Sequence, residues 1–483
     1  MPDFDMPPFD MPPFDMIVIG AGAGGLSVTA GAAQLGVRVA LIERGRMGGD
    51  CLNAGCVPSK ALLAAGHAAQ AARDAARFGV MLPEPVIDWA AVRAHVQGVI
   101  AAIAPTDSEE RFRALGATVI KGEARFVAPD AIEVNGRRLT ARRIVIATGT
   151  TAFVPPITGL SDVPYLTNET LFDLPEKPEH LLILGGGPIG LEMADAFSGL
   201  GYAVTVVEAA TIASREDPEL VAGLRAYLAA RGVTVIEGAA VAAVEPGPVL
   251  VLTDGRRIAG SQLLVAVGRR PALSSLGLEA AGVATSKLGI VTDAGLRSVG
   301  NKRVFAVGDI ADPIGIGPRA FTHAAGYHAG IVIKRALFRL PARVDYTALP
   351  RVTYTGLELA QVGLTEAEAR SAGLTVTVLR WPFAENDRAV AERDTAGLVK
   401  LIVSKGRVVG AGILSPAAGD MIGQWTLAIA ARVKIATLAG LIAPYPTRAE
   451  AGKRAAGSYF TARLFSDRTR WVVRALGRLP HWF

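Results

Sequence analysis

The 483-residue chain is 51% hydrophobic and 19% charged, a balance that suits packed globular domains and excludes a disordered chain. At roughly 100–200 residues per domain it holds about three domains. The formal charge of +6 is thinly spread, with basic residues gathering only near the end, which argues against a nucleic-acid binder and its clustered stripe. Two cysteines, Cys51 and Cys56, cannot staple a chain of this size, so a disulfide scaffold is excluded.

The chain opens with a near-repeat, MPDFD-MPPFD-MPPFD, whose prolines block helix and sheet pairing. Residues 1–14 are therefore expected to form an extended or disordered tail. The acidic start lacks the basic residues of a secretory signal, and a cytoplasmic protein is expected. Residues 16–37 carry no charge and are long enough for a membrane helix, but their repeated glycines suit a turn better than a span.

Five stretches read as strand–turn–helix units or strands ending in turns. MIVIGAGAGGLSVTAGAAQLGVRVALIE (16–43) runs from an apolar strand through a glycine cluster and a small-residue helix to a second strand ending in Glu43. HLLILGGGPIGLEMADAFSGLGYAVTVVE (180–208) repeats this plan and ends in Glu208. RRIVIATGT (142–150), QLLVAVGRRP (262–271) and RVFAVGDIAD (303–312) read as strands that end in turns. Beyond about residue 345 the alternating segments predict an antiparallel sheet, followed by helices over about 417–439 and from about 447 onward. The expected organisation is α/β: two Rossmann-like dinucleotide-binding domains plus a C-terminal α+β dimerisation domain. Its boundaries fall at 15–150, 151–275, a return segment at 276–345 completing the first domain, 346–465, and a basic amphipathic tail at 466–483.

Gly20, Gly22 and Gly25 supply G-x-G-x-x-G. The first permits the tight turn, the second lets a pyrophosphate approach the backbone, and the third lets helix pack on strand. The helix N-terminus offers N–H donors to phosphate, and Glu43 stands where an acid grips ribose hydroxyls. Gly185, Gly187 and Gly190 with Glu208 form an equally complete second copy. Two dinucleotides on one chain suggest a flavin and a nicotinamide working together. Just after the first unit comes GGDCLNAGCVPSK (48–60), which holds both cysteines. Thiols this close can form a small disulfide ring that opens and closes readily. A helix beginning near Pro58 would lower the pKa of Cys56. Inert buried cysteines and a metal site are the alternatives, and no second cysteine pair exists to complete a zinc site.

With these motifs the sequence resembles the flavin-dependent pyridine nucleotide–disulfide oxidoreductases, the family of dihydrolipoamide dehydrogenase, glutathione reductase and mercuric reductase. The resemblance runs from about residue 15 to about 465. It implies FAD held by Gly20, Gly22, Gly25, Glu43, Lys60, Gly122, Gly149 and Asp309. It implies NAD(P)H at Gly185, Gly187, Gly190, Glu208 and Gly268, and the Glu208 carboxylate, with no cation in residues 209–214, favours NADH over NADPH. Cys56 would face the flavin, Cys51 would attack a small-molecule or protein disulfide or dithiol substrate, and Lys60 and Glu192 would pair near the flavin ring. A homodimer is implied, with no nucleic acid and no resident metal.

The sequence departs from the family in three places. Where dihydrolipoamide and glutathione enzymes carry a His-Pro segment supplying the acid/base, this chain has Tyr445-Pro446, with Glu450 downstream. Tyrosine, with a reference pKa of ~10, is a poor base near neutrality but donates a hydrogen bond. That tyrosine resembles mercuric reductase, yet the further cysteine pair which receives metal there is missing. Among the six histidines, His323 is the candidate substitute base, by its place after Asp309. Finally, residues 453–483 interleave arginine with Trp471, Val472 and Leu476, a pattern for a membrane-surface helix, a partner-docking element, or a tail packed on its own dimer. A mercuric or metal-ion reductase, or an electron donor to a membrane or protein partner, are the alternative functions.

Overall fold

A computed structural model describes residues 14–478. The chain separates into two compact units: residues 14–179, 243–248 and 260–345 in one, and 180–242, 249–259 and 346–478 in the other. The return segment thus folds with the N-terminal part, although most of residues 180–259 belong to the other unit.

The first unit is built on a seven-stranded sheet. Its centre is Phe14–Ile19, flanked in parallel by Val39–Glu43 and Arg137–Ile146, with Ile17 opposite Ala40 and Ile144. Met16, Ile17 and Val18 are fully buried, as expected for a parallel strand covered on both faces. Thr118–Lys121 extends one side and Val304–Ala306 joins the other, both in parallel. Residues 16–37 are accordingly a strand, a turn and the helix Ala23–Gln34. Among the described residues no helix is long and apolar enough to cross a membrane. The expected N-terminal tail ends one residue earlier than read: Phe14 is already in the strand, 6% exposed and opposite Ala141. The rest of that tail, and His481 and Trp482, lie outside the described residues.

The second unit contains the parallel strands His180–Leu184, Ala203–Val207 and Thr234–Ile236. It also contains a five-stranded antiparallel sheet ordered Arg351–Thr353, Glu358–Gly363, Arg407–Ser415, Leu398–Ser404, Thr377–Pro382. Helix Ala418–Ala430 covers that sheet through Ile422, Trp425 and Ile429. Gly452, on helix Glu450–Ser458, lets that helix approach: a Cβ there would stand 2.6 Å from the Trp425 ring.

A buried ion cluster ties this unit together. Lys400, 5% exposed in mid-strand, places Nζ 2.9 Å from Asp217, 2.9 Å from Glu219 and 3.1 Å from Glu366. Asp217 also caps helix Pro218–Ala230. Burial works against the lysine charge, but the carboxylates outweigh it and raise the Lys400 pKa. Lys400→Met leaves buried Asp217 without its cation, while Glu219 and Glu366 keep Arg380 and Arg370. Its expected cost is about 3–5 kcal/mol, the penalty for breaking a buried pair. A urea melt that moves by less than 1 kcal/mol would contradict this account of the cluster.

Candidate active site

The first glycine loop is shaped by close backbone approach. Gly20 adopts φ +101°, and a Cβ there would stand 2.5 Å from the Ala147 carbonyl oxygen. A Cβ on Gly25 would fall on the carbonyl oxygen of Gly20, and one on Gly49 would reach 2.6 Å from the Gly22 Cα. The cradle before helix Ala23–Gln34 therefore exists only because side chains are absent. No side chain caps this helix at Gly22, so its first N–H groups remain available to an anion. Glu43 fixes the same turn, accepting from the N–H of Ala21 and of Gly45, each at 2.6 Å. Gly122 donates its N–H to the Glu43 carbonyl at 3.0 Å, and Gly149 closes the turn after Ile146 at φ +66°. These groups fit a dinucleotide such as FAD: a side-chain-free loop for pyrophosphate and a carboxylate at the strand end for ribose.

The cysteines follow directly. Cys51 is half-buried in the short helix Gly49–Asn53, and Cys56 is exposed as the first residue of helix Cys56–Asp74. The helix starts two residues before the expected position, which brings Cys56 itself onto the N-terminus, where the dipole favours a thiolate. The Cys56 thiol is lowered to about 6, chiefly by its hydrogen bond with Cys51, with burial opposing and with Thr322 and the Lys60 charge assisting. Cys51 is pushed far above the ordinary thiol range, by that same bond, by burial and by the charge on Cys56. In the dithiol state the proton sits on Cys51 and the negative charge on Cys56. The Cys56 Sγ lies 3.3 Å from Thr322 Oγ1, at the start of helix Thr322–Ala336. Thr322→Val is expected to raise the Cys56 pKa by roughly half to one unit, the worth of one hydrogen bond. The pH dependence of alkylation of the dithiol protein checks this. A profile that still bends near pH 6 in the variant would remove Thr322 from the site.

Around the pair runs a polar network that the sequence did not reveal. Asp50 accepts from Asn168 Nδ2 at 2.9 Å and pairs with Arg269 at 3.2 Å. Arg269 donates to Thr150 through Nε and a terminal nitrogen, both at 2.8 Å, and Thr150 Oγ1 donates to Asp309 at 2.9 Å. Burial raises the Asp309 pKa, against the pull of Thr150 and Arg269. The Gly308 N–H next to it donates to Nδ1 of fully buried His328 at 3.1 Å; burial lowers that imidazole to about 4, so it is neutral. Asp50 and Arg269 do lie inside quoted motifs, but nothing local marks their pairing. His323 is exposed and stacked on Phe321, ring centroids 5.1 Å apart.

The second glycine loop repeats the geometry of the first. Gly185 has φ +115°, and a Cβ on Gly190 would fall on the Gly185 carbonyl oxygen; Gly187 caps helix Pro188–Gly199. Glu208 accepts from the N–H of Gly186 at 2.7 Å and of Ala210 at 2.9 Å. Glu192, 5% exposed, accepts from the Tyr354 N–H at 3.0 Å. Gly268, at φ +153°, belongs with Lys60 to the unit that holds the cysteines. Tyr445 is 66% exposed and donates its hydroxyl to Asp387 at 2.7 Å. That bond and the Asp387 charge raise its pKa. Glu450, expected to orient an acid/base here, pairs instead with Arg454 at 2.9 Å.

Residues 14–329 match the model of the pyridine nucleotide-disulphide oxidoreductase family, and residues 349–456 match its dimerisation domain. The chain belongs to this family. Among its relatives in the family, a mercuric reductase of Streptomyces lividans is 39% identical over 460 residues, covering 92% of this chain and 96% of that one. A dihydrolipoyl dehydrogenase of Geobacillus stearothermophilus is 36% identical over 455 residues, covering 91% and 95%. Among solved structures of the family, the HOCl-induced flavoprotein disulfide reductase RclA of Escherichia coli superposes with a TM-score of 0.82 at 29% identity, covering 92% and 99%. As a pyridine nucleotide–disulfide oxidoreductase this chain is an NAD(P)H-dependent FAD flavoprotein, and the glycine cradle and the cysteine pair are the parts that such an enzyme requires.

Proposed function

We propose that this enzyme prefers NADH and passes electrons to a disulfide or related thiol-reactive acceptor through Cys51 and Cys56, acting as a homodimer. The observation that carries the reading is the placement of the pair: Cys51 in the short helix after the glycine cradle, and Cys56 on the N-terminus of the next helix with its Sγ 3.3 Å from Thr322 Oγ1. FAD, when bound, supplies two-electron exchange between nicotinamide and thiol. Gly20, Gly22, Gly25, Glu43, Gly122, Gly149 and Asp309 would hold it, with Lys60 and Glu192 paired near its ring. Gly185, Gly187, Gly190, Glu208 and Gly268 would hold the nicotinamide nucleotide. Cys56 keeps the charge that Thr322, Lys60 and the helix N-terminus stabilise. Cys51 carries the proton and attacks substrate once that proton leaves. Tyr445 of one protomer would meet this site in its partner, as a hydrogen-bond donor.

Stopped-flow reduction by NADH, followed by turnover with lipoamide, glutathione disulfide, quinones and mercuric ion, tests the reading. Failure of every disulfide acceptor would overturn it. A second reading, mercuric-ion reduction, is favoured by the relatives of that name, and against it stands the chain's lack of a third cysteine. Mercuric ion as the sole good acceptor would establish the second reading.

The nucleotide preference rests on Glu208. A carboxylate there accepts from both ribose hydroxyls and repels a 2′-phosphate. Residues 209–214 contain no cation, and Arg215 is exposed further on. We expect kcat/KM for NADH to exceed that for NADPH by about tenfold or more, one lost charge contact being worth about 1.4 kcal/mol. A tenfold preference for NADPH would refute this and implicate Arg215.

A further inference from the structure

The last described segment folds as helix Thr461–Leu464 and, after Ser466, helix Asp467–Leu476. Ser466 Oγ accepts from the Thr469 N–H at 3.3 Å, and Thr469 Oγ1 donates to the Arg463 carbonyl at 2.8 Å. The second helix is thus capped and tied to the first by its own side chains. None of its residues is buried. At 100° per residue, Arg470 and Arg474 share one face, which Arg478 continues just beyond the helix, while Val472 and Leu476 lie opposite, and Val473 extends that apolar side toward Arg470. Leu464, Phe465, Trp471, Val473 and Leu476 are 56%, 66%, 69%, 62% and 58% exposed. Arg463, Arg468, Arg470, Arg474 and Arg478 face a single acid within the segment, Asp467.

We propose that residues 461–478 are a peripheral membrane anchor that lies flat on an anionic lipid surface. The apolar face enters the boundary between headgroups and acyl chains. The arginines reach lipid phosphates, and Trp471, at the edge of the basic face, sits at headgroup level. Charge decides among the occupants. A nucleic acid would satisfy the arginines but leave Val472, Val473 and Leu476 in water. A second copy of this face would bring arginine against arginine.

The test is co-sedimentation of the FAD-loaded enzyme with sucrose-filled vesicles, either phosphatidylglycerol mixed equally with phosphatidylcholine or phosphatidylcholine alone. The enzyme should pellet with the anionic vesicles only and be released by high salt. Replacing Arg470, Arg474 and Arg478 together with glutamine should lower partitioning roughly 100-fold, since each arginine near the surface contributes about a factor of five. Val473→Ser with Leu476→Ser should also release the protein. NADH oxidation should be unchanged in both variants, which reports an intact fold. Wild type that stays in the supernatant with anionic vesicles, variants that pellet like wild type, or displacement from the vesicles by RNA would each overturn the proposal.

Discussion

Cys56→Ser is expected to cut turnover by at least about 10³-fold, the scale seen when a reacting nucleophile is removed, and to abolish the long-wavelength thiolate–flavin absorption while FAD stays bound. A serine hydroxyl neither ionises near neutrality nor closes a disulfide, so the two electrons have no sulfur pair to occupy. FAD retention follows because the cradle is made by Gly20, Gly22, Gly25 and Gly49, none of which depends on the thiol. Cys51→Ser should behave differently: it loses turnover but keeps the absorption, because the Cys56 thiolate and its Thr322 contact at 3.3 Å remain. A full band in Cys56→Ser would reverse the roles given to the two cysteines.

Tyr445→His should raise dihydrolipoamide turnover at pH 7 by about 10²-fold, the lower range for a positioned general base. The wild type should be slow there and gain activity only as pH climbs past 9. Oxidising a dithiol starts from the Cys51–Cys56 disulfide, so the substrate thiol must lose its proton before its sulfur attacks Cys51, and a phenol near ~10 does not accept that proton at neutrality. The hydrogen bond to Asp387 raises the Tyr445 pKa further, which moves the alkaline gain upward. Asp387, at 2.7 Å from the present hydroxyl, is placed to orient a new imidazole, whereas Glu450 must first release Arg454. Brisk turnover at pH 7 that Tyr445→Phe leaves intact would discard this account and direct attention to His323.

What the sequence discloses depends on how local each constraint is. Gly20, Gly25 and Gly190 were legible because a backbone oxygen excludes any Cβ at these points, and such exclusion leaves a fixed spacing. Both strand–turn–helix units and the antiparallel sheet followed from period and spacing. The electrostatics of the site did not. Asn168 meets Asp50 across 118 positions, and the pattern at neither end hints at the other. Lys400 is the plainest case. In LVKLIVS (398–404) it alternates as a solvent-facing residue would, and it is buried only because Asp217 arrives from 183 positions away. The start of the redox helix was misplaced by two residues because Pro58 invites an N-terminal position, whereas Gly55 provides the earlier one.

The Lys400 cluster also sets opposite limits on the acidity the second unit tolerates. Glu219 is lowered from 4.5, first by its bond to Arg380, and Glu366, first by its bond to Arg370, with Lys400 adding to both. Depressed carboxylates contribute stability above their unfolded pKa and lose it as pH falls through the folded one. Lys400 is raised from 10.5, so its contribution is whole below that value and fades as pH rises through the higher folded pKa. Between these limits Lys400, Glu219 and Glu366 are charged at once. The fastening of strand Leu398–Ser404 to helix Pro218–Ala230 therefore stays indifferent to pH over the range in which Cys56 changes protonation. Activity can swing with pH through Cys56 while this fastening within the second unit does not.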